Sequence, residues 1–107
     1  VTTNGRRGYD FERRVADFLL REGAAHVVRS PGSRGPADLY AFYLPDSPLT
    51  RHRTRVDVIQ CKRRGKLDAT GRERLLGLAR EINARPLVAQ PGPKGRGVVL
   101  TAVEMPL

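Results

Sequence analysis

The sequence holds one cysteine, Cys61, no tryptophan, and few aromatics of any kind: three tyrosines and three phenylalanines in 107 residues. A lone cysteine excludes an internal disulfide and any metal site built from several thiolates. Sparse aromatics argue against single-strand recognition by base stacking. No apolar run approaches the roughly 20 residues that a spanning helix needs, so no membrane partner is expected. The N-terminal residues show no secretory signal pattern. A cytoplasmic location is expected, at the nucleoid or, for a viral protein, in the host cytoplasm. Acids are also in deficit, 11 against 20 Lys and Arg, for a formal net charge of +9. That excess favours a polyanion as partner. With membranes disfavoured, nucleic acid is the expected class. Charge alone also fits a ribosomal or chromatin protein and specifies no chemistry.

The length suits one compact domain, residues 1–107. A chain this short buries a modest share of its surface, so a homodimer is expected. Asn4 to Arg21 reads as a helix, with Phe11, Val15, Phe18 and Leu19 on one apolar stripe, Asn4 as its cap and Gly23 just past its end. His26 to Arg29 and Ala37 to Tyr43 read as strands joined by the turn residues Ser30 to Pro36. Leu44 to Arg55 reads as a hairpin loop, and Val56 to Lys62 as a third, β-branched strand. Thr70 and Glu73 match a capping box opening a helix to about Ala84, with Leu75, Leu78, Ala79 and Ile82 facing inward. Pro86 to Gln90 and Val98 to Val103 supply two more strands, with a turn over Pro91 to Gly97. The order α-β-β-β-α-β-β predicts an α/β fold, a small mixed β-sheet flanked by helices. The hairpin-linked strands pair antiparallel, and the second helix carries a crossover to a parallel neighbour.

Three places hold polar residues that a core does not require. Glu12 lies beside the apolar helix stripe, where a solvated helix acid is the simpler account. Asp38 stands at a strand start, although Asp is disfavoured in strands; a turn-closing Asp bonded to local amides is the alternative. Gln60 and Lys62 share one face of the third strand, with Cys61 on the other; a strand surfacing into solvent explains Lys62 equally well. Taken together, a carboxylate, a second oxygen donor and a lysine on adjacent strands can converge on one phosphate. Phosphodiester hydrolysis uses such a set: Mg²⁺ takes oxygen ligands, and a nearby cation stabilises developing charge.

The segments Gly5-Arg6-Arg7-Gly8-Tyr9-Asp10-Phe11-Glu12-Arg13, Val28-Arg29-Ser30-Pro31-Gly32-Ser33, Ala37-Asp38-Leu39 and Ile59-Gln60-Cys61-Lys62 resemble, in order, the archaeal-type Holliday-junction resolvases. These belong to the PD-(D/E)XK nuclease superfamily, and Leu75 to Gln90 is similar to the helix and strand that follow in that family. The resemblance implies a restriction-endonuclease-like fold and a Mg²⁺-dependent site, with Mn²⁺ able to substitute, and no small-molecule cofactor. By matching positions it makes Glu12, Asp38, Gln60 and Lys62 catalytic, with Ser33 near the site and Glu12, Asp38 and Gln60 on the metal. It also implies branched DNA as substrate and a homodimer that cuts two strands symmetrically. Two positions depart from the pattern. The motif proline is separated from the aspartate, as Pro36-Ala37-Asp38, and Gln60 stands where an acid is usual. An amide oxygen ligates Mg²⁺ without contributing charge, and Mrr-like restriction nucleases of the same superfamily look similar in using Gln-x-Lys.

Arg6, Arg7, Arg13, Arg29, Arg34, Arg63, Arg64 and Lys66 flank these segments and are expected as a group to contact phosphates, with a generic basic surface as the alternative for any one of them. The loop Arg51 to Arg55 adds further positive charge. His26 and His52 stand apart from any ligand cluster, and Cys61 is expected in the core. A restriction- or repair-type nuclease acting on linear duplex uses the same residues, and a DNA-binding module that has lost catalysis at Gln60 is the reading from a different class.

Overall fold

The computed structural model describes residues 4–30, 35–45 and 55–104, and the element order is the one the sequence predicts. Helix α1 (Asn4–Arg21) forms because Phe11, Val15 and Leu19 recur at four-residue spacing, and all three are buried. Gly23 ends it at φ +111°, a conformation that L side chains rarely adopt, and the Ala24 amide then reaches back to the Leu19 carbonyl. Strands β1 (His26–Arg29), β2 (Leu39–Tyr43), β3 (Arg55–Cys61), β4 (Arg85–Pro91) and β5 (Val98–Ala102) form one sheet in sequential order. The β3–β4 pair is parallel and the rest are antiparallel. Helix α2 (Ala69–Ile82) makes the crossover that a parallel pair requires.

The sheet is covered on both faces. Phe11, Val15 and Leu19 of α1 pack on Leu39, Ala41, Ile59, Leu87 and Ala89. Leu75, Leu76 and Ala79 of α2 pack on Ala37, Val58 and Val103. The neighbours Val58 and Ile59 divide between the two cores, as strand alternation demands.

Helix α2 departs from its sequence reading in two respects. Its cap is Asp68, whose Oδ1 accepts from the Gly71 amide at 2.7 Å, and not Thr70. Both residue types cap well, but Asp68 has the extended backbone a cap needs, while Thr70 is already helical. The buried stripe is Leu75, Leu76 and Ala79, so it is rotated about the axis and leaves Ile82 43 % exposed. Asn83 then takes the left-handed conformation (φ 54°) and stops the helix before Ala84. Asp68→Ala is expected to cost about 1 kcal/mol. In a thermal melt that lowers Tm by roughly 4–8 °C. Thr70→Ala should change Tm far less, and an equal loss from both would return the cap to Thr70.

One buried acid braces the sheet itself. Asp57 on β3 is inaccessible to solvent, and its oxygens accept from Arg85 Nε at 3.2 Å and Nη2 at 3.0 Å across the β3–β4 pair. Arg55 Nε lies 3.5 Å away, with its guanidinium stacked over Tyr43. This clamp fastens one end of β3. The other end carries Gln60, Cys61 and Lys62.

Candidate active site

Asp38 owes its position to an interruption in the sheet. Sequence reading starts the strand at Ala37, but β2 begins at Leu39. The register pairs Leu39 with Ile59, yet the Asp38 amide donates to the Ile59 carbonyl at 2.8 Å, one residue out of step. A slip of this kind re-aims a side chain. Its effect is visible in Ala37, which packs in the α2-side core with Tyr40 instead of alternating with it. Asp38 is thereby freed from the pleat, and its Oδ2 accepts from the Cys61 amide at 2.8 Å. That partner lies on β3, 23 residues away, so this bond ties the carboxylate across the sheet. Asp38 is 6 % exposed.

Glu12 reaches the same end of the sheet from α1. It is 8 % exposed, not the solvated helix acid that the helix alone allows. Its Oε2 accepts from Arg29 Nε at 2.6 Å, and the Arg29 guanidinium lies over the Tyr9 ring. Arg29 therefore orients a carboxylate as well as adding charge to the surface. Nothing in the sequence signals this pair, because its members sit on different elements 17 residues apart.

Gln60 and Lys62 share one face of the β3 terminus, as alternation predicts. Both line a cavity of about 290 Å³ with Gly35, Pro36 and the start of α2, including Arg74. Gln60 and Lys62 therefore lie on the α2 side at the C-terminal end of β3, Asp38 is tied to the Cys61 amide at that same end, and the Glu12 charge acts on Asp38. Lys62 stands close enough for its charge to act on Asp38.

The electrostatics of this cluster are unbalanced. Burial pushes the Asp38 carboxyl above its ordinary value, and the Glu12 charge adds to that push. The Cys61 amide, Arg29 and Lys62 pull the other way without cancelling it. Burial disfavours the bare carboxylate charge itself, while the Glu12 contribution is a like-charge repulsion that a nearby cation relieves. The donors are carboxylate and amide oxygens, which suit a hard divalent ion. Cys61 is no soft ligand, since burial and then the charges of Asp38 and Glu12 hold its thiol protonated. Among the described residues, no three His, Cys, Asp or Glu side chains converge to form a metal site. By its chemistry alone, a donor set of two carboxylates and an amide is one that a single hard divalent ion accepts.

Of the basic residues expected on DNA, Arg13, Arg64 and Lys66 are exposed and Arg63 is half-buried. Ser33, Arg34, the Arg51 to Thr54 stretch with His52, and the side chains of Arg6 and Arg7 lie outside the described residues. Sequence reading missed Asp57, although its parity with Ile59 marked it as inward-facing, and it also missed the bond from Arg14 Nη1 to the Gly95 carbonyl at 2.9 Å. No described helix is long and apolar enough to cross a membrane.

The family model for the archaeal Holliday junction resolvase (hjc) matches residues 3–105. Among solved structures, the chain is similar to Hjc, a Holliday junction resolvase from the archaeal hyperthermophile Archaeoglobus fulgidus. The two share 25 % identity with a TM-score of 0.68, over 91 % of this chain and 73 % of that one. No curated protein sequence matches the chain.

Proposed function

Because the chain belongs to the archaeal Holliday junction resolvase family, and is thereby a junction-resolving endonuclease, we propose that Glu12, Asp38, Gln60 and Lys62 form its metal-dependent cutting site. The observation that carries this reading is the buried, proton-favouring Asp38 carboxylate beside Glu12 and Lys62. Asp38, Glu12 and the Gln60 amide oxygen would hold the ion, Mg²⁺ by preference with Mn²⁺ as substitute. A divalent ion there supplies Lewis acidity toward the phosphodiester and the attacking water.

The chain's own groups do the rest. The Cys61 amide fixes the Asp38 carboxylate. Arg29, stacked on Tyr9, fixes Glu12. Lys62 neutralises the charge that develops on the phosphoryl oxygens. Ser33, matched from the family pattern, is proposed to lie beside them. Arg6, Arg7, Arg13, Arg29, Arg34, Arg63, Arg64 and Lys66 are proposed to bind backbone phosphates. A homodimer would present two such sites to a two-fold symmetric junction.

The deciding experiment compares cutting of a four-way junction with cutting of matched linear duplex, with and without chelator, alongside the mass of the protein in solution. Equal cutting of both substrates ends the junction-selective reading. Metal-independent cutting ends the site assignment, and a monomer in complex with the junction ends the dimer.

Gln60 favours a second reading, binding without cutting. Gln60→Glu decides between them. It adds a third carboxylate, so it is expected to lower the Mg²⁺ concentration for half-maximal cutting by about tenfold. In chelator it should lower Tm through like-charge repulsion. If wild type binds junctions yet cuts under no divalent metal, and the variant cuts, the binding-module reading stands.

A further inference from the structure

We propose that the cleft between α1 and the turn joining β4 to β5 is a second DNA contact, a track for the phosphate backbone of a duplex arm leading away from the cutting site. The proposal rests on the reading that the protein acts on branched DNA.

The cleft has a volume of about 600 Å³ and is lined by Arg14, Arg63, Gln90 and the turn residues Pro91, Gly92, Pro93 and Gly95. A neighbouring hollow of about 390 Å³ shares Arg14 and Arg63 and adds Asp10 and Phe11. In the chain, Phe11 directly precedes Glu12, and Arg63 directly follows Lys62. The cleft thus draws on chain neighbours of two residues proposed for cutting.

The turn that walls it is built to hold one shape. A Cβ on Gly92 would collide with the Arg96 carbonyl oxygen, so only glycine fits there. The Gly95 amide closes on the Gly92 carbonyl, and the Arg96 amide on that of Pro93. Arg14 pins the turn to α1 through the Gly95 carbonyl.

This rigid turn displays cations. Lys94 and Arg96 of this turn are exposed, and Arg14 and Arg63 line the cleft that the turn walls. No acid occurs anywhere between Arg85 and Val103, and Asp10 is the one acid among the residues lining the two hollows. Lys94 adopts φ 58°, a left-handed conformation that glycine would take without cost. A lysine kept where its backbone is disfavoured points to a duty for its side chain. Arginines lining a cleft, with a lysine and a further arginine exposed on the preformed turn beside it, suit the repeating negative charge of a phosphodiester backbone.

The test is binding to an immobile four-way junction in chelator, where no cutting intervenes, over a range of salt. Removing one side chain that binds a phosphate should flatten the slope of log K against log salt by about 0.9. Lys94→Ala/Arg96→Ala together should therefore flatten it by about 1.8 and shorten the hydroxyl-radical footprint along one arm. Lys94→Gly controls for folding, because it relieves the left-handed strain. It should melt no lower than wild type and still flatten the slope by about 0.9. An unchanged slope and footprint in both variants overturns the proposal, even if Asp38-dependent cutting is intact. Conversely, a wild type that binds with a slope sensitive to these residues but never cuts supports the track and sinks only the nuclease reading. A wild type that binds no junction sinks both.

Discussion

Asp38→Asn is expected to reduce junction cutting by more than about 100-fold while leaving the protein, in chelator at neutral pH, at least as stable as wild type. Removing an outer partner of a metal site already costs about 10- to 100-fold, and Asp38 is proposed as a ligand itself. The stability half follows from the same side chain. Its carboxyl is raised above the ordinary aspartate value, first by burial and then by Glu12, against the pull of Cys61, Arg29 and Lys62. For an acid raised on folding, the stabilising contribution is complete below the unfolded pKa and is lost as pH climbs through the folded one. At neutral pH the ionised carboxylate therefore strains the site whenever chelator keeps metal away. Asparagine removes the charge and keeps an oxygen for the Cys61 amide. Melting both proteins in chelator across the acid-to-neutral range should show the variant's relative advantage growing with pH. A variant clearly less stable than wild type at neutral pH would mean that the charge holds the fold together. Undiminished cutting would remove Asp38 from the site.

Much of this site is legible before any coordinates, and the exceptions are informative. Alternation along β3 puts Gln60 and Lys62 on one face, and the structure keeps them there. Asp38 is conspicuous as an acid in a strand-like run. The one-residue slip that releases it from alternation is invisible, because it depends on pairing with Ile59 across the sheet. Glu12 can be placed beside the apolar stripe from helical spacing, but its burial depends on how α1 lies over the sheet end. The strand order and the crossover follow from element order and the handful of connections physics permits. The α2 cap is ambiguous in the sequence because Asp68 and Thr70, two residues apart, are both good caps, and only backbone geometry chooses.

Arg85→Met is expected to be the most destabilising single change at the far end of β3. Removing one partner of a fully buried ion pair costs about 3–5 kcal/mol, because the remaining charge is stranded. Here the stranded group is Asp57, which has no access to water. Arg85 itself is 50 % exposed, and Arg55 stays at 3.5 Å, so the cost falls at or below the bottom of that scale. A loss of about 2–3 kcal/mol corresponds to a Tm drop of roughly 10–20 °C. Asp57→Asn should cost less, since the arginines it leaves behind already reach solvent. Thermal melts of the two variants test this asymmetry. If Asp57→Asn proves the more damaging, the amide's own burial and not the stranded charge governs the clamp.

β3 is fastened twice: at Asp57, to Arg85 on one neighbouring strand, and at the Cys61 amide, to Asp38 beside the other. The interval between these fixings acts as a ruler. Related chains are free to trade Val58 or Ile59 for other apolar residues over the course of descent. They are not free to gain or lose a residue there, because a single step would exchange inside for outside along the strand and turn Lys62 away from the phosphate proposed for it. Divergence across this stretch should accordingly proceed by replacement alone, with its length held constant.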